Sequence, residues 1–115
     1  MAEGNMNLPP TEDFTLLGTV NGTTADTTLQ LSESIGNFLF VVVTVSWAIS
    51  YAYTSYVVAP SSLWFVNNSD VINLWLNNNP DNGGCAISYR NTTSCHIKPT
   101  HANVYCTVWG YMRKR

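Results

Sequence analysis

Three cysteines and two histidines crowd the last third of the chain: Cys85, Cys95, His96, His101 and Cys106. Thiolates and imidazoles can hold zinc. Here the last four donors run adjacent and then five apart twice, with no Cys-X-X-Cys pair to anchor a site. An odd cysteine count without paired spacing reads instead as small buried hydrophobic side chains kept as reduced thiols. Strand alternation puts Cys85 on one face with Ile87 and Tyr89, and Cys106 on one with Val104 and Val108. Hydrolysis asks for paired carboxylates, or for a Ser or Cys nucleophile with a base and an orienting acid. Asp26, Asp70 and Asp81 all sit in turn-rich sequence, where Asp bonds its own backbone. No nucleophile elbow, zinc-protease motif or phosphate-cradling glycine loop is present. The pattern predicts a non-enzyme that needs no cofactor and no metal.

Surface chemistry remains. Trp64, Trp75, Trp109, Tyr89, Tyr105 and Tyr111 lie in or beside strands near Asn-rich loops, and most of them are expected in the core or at a subunit interface. Amides and hydroxyls both donate and accept, and flat aromatic faces stack on sugar rings, so the combination suits neutral carbohydrate or a protein surface. The richest such segment is the loop 77–84, which offers Asn77, Asn78, Asn79, Asp81 and Asn82. Trp75 precedes it with a stacking face. These six residues form the candidate ligand site.

Composition narrows the classes further. Only 12 of 115 residues are charged, and their place is taken by 13 Asn, 13 Thr and 10 Ser. A net charge of −2 excludes a nucleic-acid binder held by phosphate contacts. Five acids and no base occupy residues 1–33, no charge at all occupies 34–69, and the terminal Arg113-Lys114-Arg115 reads as a solvated basic tail. The first residues carry an acid where a secretory leader needs bases, so the chain is expected to be made in a cytoplasm.

Between Ile35 and Val58 stand 24 uncharged residues, long enough to span a bilayer. Their period argues against it. Val41, Val43, Val45, Trp47, Ile49, Tyr51 and Tyr53 alternate with smaller side chains, which is a strand pattern, and no Lys or Arg anchors either end. No membrane insertion is expected. The run exceeds strand length, so a turn or bulge should break it near Ser46. Further strands are predicted at Phe14–Val20, Thr27–Leu31, Val71–Leu76, Cys85–Arg90, Cys95–Lys98 and Val104–Met112. Asn21-Gly22 should close the first two as a hairpin. Short strands separated by turn formers, with no helical period, predict an all-β fold, an antiparallel β-sandwich or jelly-roll-like domain over 14–112. Residues 1–13, with Pro9-Pro10, read as an extended N-terminal arm.

The segment Phe14-Thr15-Leu16-Leu17-Gly18-Thr19-Val20-Asn21-Gly22-Thr23-Thr24, followed by Ile35-Gly36-Asn37-Phe38-Leu39-Phe40-Val41-Val42-Val43, resembles the opening of C-terminal domains in bacteriophage tail-fibre and minor tail proteins. The ending Val104-Tyr105-Cys106-Thr107-Val108-Trp109-Gly110-Tyr111 is similar to the aromatic-glycine terminal strand of such domains. The resemblance runs over residues 14–111. It implies a β-sandwich on the outside of a virion, made in the host cytoplasm, homotrimeric, and in contact with a host surface carbohydrate or protein. The alternative reading is a capsid decoration or head-fibre structural protein docked on other virion proteins through residues 1–13.

Overall fold

The computed structural model describes residues 13–47 and 53–115. Eight strands run in the order β1 (Phe14–Val20), β2 (Thr27–Gln30), β3 (Phe38–Trp47), β4 (Tyr53–Pro60), β5 (Ile72–Trp75), β6 (Gly84–Ser88), β7 (Ser94–Pro99) and β8 (Val104–Arg113). They form two four-stranded sheets. Sheet one has the order β1-β8-β3-β4 and sheet two β2-β7-β6-β5, with every pairing antiparallel. The protein is an all-β sandwich. β1 with β8 and β2 with β7 repeat the outer nesting of a jelly roll, whereas β3–β4 and β5–β6 close locally as neighbours.

The alternation read from the sequence places the core. Val41, Val43 and Val45 of β3 are buried against Val104, Cys106 and Val108 of β8 and against Leu74, Cys85, Ile87 and Ile97 of sheet two. A Cβ at Gly110 would run into the Phe38 ring, so only glycine lets that ring fold into the end of the core. The long apolar run is interrupted near Ser46, where its length called for a turn or bulge. A bulge sits between Val45 and Ser46, and β4 begins at Tyr53. The connection between them, with Ile49 and Tyr51, lies outside the described residues, as does the N-terminal arm up to residue 12. Among the described residues no helix is long and apolar enough to cross a membrane.

Two expectations fail. β1 and β2 are not a hairpin, because they belong to different sheets. Asn21-Gly22 does turn the chain, with Gly22 at φ +74°, but Gly22 N–H bonds the Ala102 carbonyl at 2.8 Å, so the turn serves a crossing between sheets. Tyr89 also leaves the face of Cys85 and Ile87. Its left-handed φ of 47° reverses the alternation after Ser88, exposing Tyr89 and turning Arg90 inward.

Arg90 is thereby 5% exposed, and among the described residues no carboxylate pairs with it; its charge is met by carbonyl oxygens. Nε donates to Trp64 O at 2.9 Å, Nη1 to Asp70 O at 2.6 Å, and Nη2 to Val66 O and Asn67 O at 3.3 and 3.2 Å. The guanidinium also lies 5.6 Å from the buried Trp64 ring centroid. One side chain thus gathers the whole link from β4 to β5. A fork of this shape cannot be replaced by a single ammonium group. Arg113 grips Glu33 with two bonds of 2.7 and 3.0 Å, which with an Asn37 amide holds the Glu33 carboxyl down at about 2.

Arg90→Met removes the donors and leaves four carbonyls in the link to find water. We expect a loss of about 3 kcal/mol in urea unfolding, and a similar loss for Arg90→Lys. A change below about 0.5 kcal/mol in either variant would show that the link holds without its guanidinium.

Candidate functional site

The outer face of sheet two builds a groove. In β5, Leu74 points into the core while Asn73 and Trp75 point out, as their alternation demands. Register sets Asn73 beside Ala86 of β6, and Ala86 beside Lys98 of β7. The small Ala86 between longer side chains makes a floor. Thr24, from the crossing between β1 and β2, and Thr100, just after β7, complete the lining of a groove of about 520 Å³, to which Cys85 and Pro99 also contribute. Thr100 has a structural task as well: its hydroxyl accepts from Gly84 N–H at 2.9 Å and donates to Gly84 O at 3.2 Å. A Cβ at Gly84 would collide with the Leu74 carbonyl, so the strand can start beside Trp75 only with glycine there. Indole face, amide, hydroxyl and ammonium suit a sugar ring, whose apolar face stacks while its hydroxyls bond.

The loop after Trp75 is less open than its composition suggests. Asn77 and Asn78 are both left-handed, at φ 54° and 56°. Asn78 is tied to Ser55 of β4, its backbone N–H donating to Ser55 Oγ at 3.0 Å and its Oδ1 accepting from it at 3.1 Å. Asn79 Oδ1 accepts from Asp81 N–H at 3.0 Å, and Asn82 Nδ2 donates to Leu76 O at 3.1 Å. Asn77 and Asp81 are exposed. Of the six residues expected to bind, Trp75 lines the groove, whereas the amides of Asn78, Asn79 and Asn82 fold the loop. Thr24, Lys98 and Thr100 were missed. They lie far from Trp75 in the chain, and only strand pairing brings them beside it.

The chain, set against known proteins, matches no family model, no curated protein and no solved structure.

Other chemistry separates rather than gathers. Cys95 and Cys106 are buried while His96 and His101 lie outside the core, and alternation along β7 sends Cys95 and His96 to opposite faces. Among the described residues no group of three or more His, Cys, Asp or Glu is placed to hold a metal. Burial pushes the Cys95 thiol up to about 12. His96 lies between Asp26 and Thr28, each 3.3 Å from a ring nitrogen. Acid, imidazole and hydroxyl stand in the order of a nucleophile relay, but the links are long and the surface is open to water. They tie the β1–β2 crossing to β7.

Sheet one presents a different outer face. Rows of paired residues carry Phe14, Tyr111 and Phe40, then Leu16, Trp109, Val42 and Val58, then Thr19, Thr107, Thr44 and Tyr56, and then Tyr105 and Ser46. Among the described residues none on this face is charged. Leu16 is 53%, Tyr56 67% and Val58 48% exposed. Phe14 stacks on Tyr111 at 4.4 Å, and Trp109 Nε1 donates to Thr44 Oγ1 at 3.0 Å.

The loop bonds have a measurable consequence. Asn82→Ala and Asn79→Ala should each cost about 1 kcal/mol in thermal or urea unfolding, whereas Asp81→Ala should fall within about 0.5 kcal/mol of the parent. Equal effects at all three positions would contradict this division.

Proposed function

We propose that the chain is a non-enzymatic adhesion domain on the surface of a bacteriophage virion, and that it binds host surface glycan in the groove beside Trp75. The observation that carries the binding site is the meeting of an outward indole with Asn73, Thr24 and Lys98 on one concave surface. The virion setting rests on the resemblance of residues 14–111 to tail-fibre and minor tail domains. Loops and surface side chains on a rigid sandwich can vary without loss of the fold, which suits an adhesin.

The same reading takes the protein as a homotrimer, with the uncharged face of sheet one turned toward neighbouring copies. A neutral apolar surface has nothing to offer a charged partner and is matched by a second neutral surface of the same kind. Strand spacing and rise give this face about 450 Å² in projection. Side-chain relief enlarges it, and a trimer shares it between two neighbours, so each contact lies at the small end of specific interfaces.

Two measurements test these statements. On arrays of bacterial surface oligosaccharides and on purified lipopolysaccharide, Trp75→Ala should weaken binding at least tenfold, about 1.4 kcal/mol, with the melting temperature nearly unchanged. An intact protein that binds no saccharide, or a variant that binds as the parent does, overturns the glycan site. In light scattering at micromolar concentration the parent should be a trimer, and Leu16→Lys with Val58→Lys should be a folded monomer. A monomeric parent defeats the interface.

A further inference from the structure

The core holds a pair of thiols, one of them on a residue that also contributes to the groove lining. Cys85 on β6 and Cys106 on β8 belong to different sheets, yet their sulfur atoms lie 2.7 Å apart. Both are free thiols in hydrogen-bond contact, and a disulfide between them would be about 2.05 Å long. Both side chains are buried, and they sit on the inward rows Leu74–Cys85–Pro99 and Val20–Cys106–Val45, which meet in the middle of the sandwich.

We propose that Cys85 and Cys106 are a covalent modification site, joined as a disulfide between the two sheets by exchange with a low-molecular-weight disulfide such as oxidised glutathione. One thiolate attacks the glutathione disulfide, forms a mixed disulfide and releases one glutathione thiol. The second thiolate then attacks the protein sulfur of that mixed disulfide and releases the other. The protein loses two protons and two electrons, and the oxidant is reduced to two thiols. Cys95, also buried, remains free.

The timing follows from the surroundings. The hydrogen bond shared with Cys85 and burial both push the Cys106 thiol up, so in the folded protein Cys106 yields little of the reactive thiolate. The bond therefore forms when the sandwich opens locally after the protein has left a reducing compartment, and once formed it is shielded from reductant. It closes the segment 85–106, which holds β6, β7 and the start of β8, and so restricts the unfolded chain. Such a link belongs to a protein that works outside a reducing compartment.

The test uses the full chain, reduced in denaturant and refolded in two portions, one with a glutathione redox pair and one with excess reductant. Both are then denatured and alkylated with iodoacetamide. The oxidised portion should carry one alkylated cysteine per chain, a peptide map should join Cys85 to Cys106, and its melting temperature should exceed that of the reduced portion by about ten degrees or more. Cys95→Ala should keep this difference, and the double variant Cys85→Ala, Cys106→Ala should lose it. Three alkylated cysteines after oxidative refolding, a link through Cys95, or equal melting temperatures would overturn the proposal. Should the double variant fail to fold, the comparison of the two parent portions decides alone.

Discussion

The last strand of the chain lies in the interior of the first sheet, between β1 and β3, and the sandwich cannot close without it. β8 pairs with β3 along nearly its whole length and with β1 on its other edge, so residues near both ends of the chain become neighbours. Contacts of such sequence separation must be reached against the entropy of closing long loops. Once β8 is in place, Val104, Cys106 and Val108 supply the inward row on which sheet two rests. Gly110 makes room for Phe38, and Arg113 lays its guanidinium 4.7 Å from that ring while holding Glu33. The closure of the first sheet, the seating of its aromatic end and the link from β2 to β3 therefore depend on one strand.

The links between sheets follow a common logic. A crossing segment leaves backbone carbonyls and amides without ladder partners, and each must find one. The β4–β5 link gives its carbonyls to Arg90. The β1–β2 link leans on the β7–β8 turn through Gly22 and on β7 through the Asp26–His96 contact. The β5–β6 loop uses its own asparagines together with Ser55 of β4. In a chain so poor in charge, amides and one buried guanidinium do the work that ion pairs and regular helices do elsewhere.

The two outer faces divide the surface chemistry. Sheet two is polar outward, with Thr28, Gln30, Asn73, His96 and Lys98 along its strands and a groove where Ala86 leaves space. Sheet one is aromatic and uncharged outward, and the centre of that face is already closed over Val42, Thr44 and Thr107. An ordinary antiparallel sheet keeps one polar face toward water. Sheet two obeys that rule and sheet one does not, which is the basis for reading sheet two as a ligand surface and sheet one as a contact between copies.

Alternation alone determined a good deal: the all-β class, most strands, the inward Val41, Val43 and Val45, the buried cysteines and the outward pairing of Asn73 with Trp75. These are period-two properties of short segments, visible without knowing what any strand pairs with. Tertiary structure decided the rest. Whether Asn21-Gly22 closes a hairpin depends on where β1 and β2 find partners, and each found a strand more than 60 residues away. Whether Asn78, Asn79 and Asn82 face a ligand or their own loop depends on Ser55 and Leu76, which composition cannot place. Lys98 and Thr24 join Trp75 only through register across the sheet, and Cys85 meets Cys106 only because the sheets stack. Side-chain pattern is local and was legible; partnership is a property of the closed fold, because strand pairing and sheet packing join residues that the chain keeps apart.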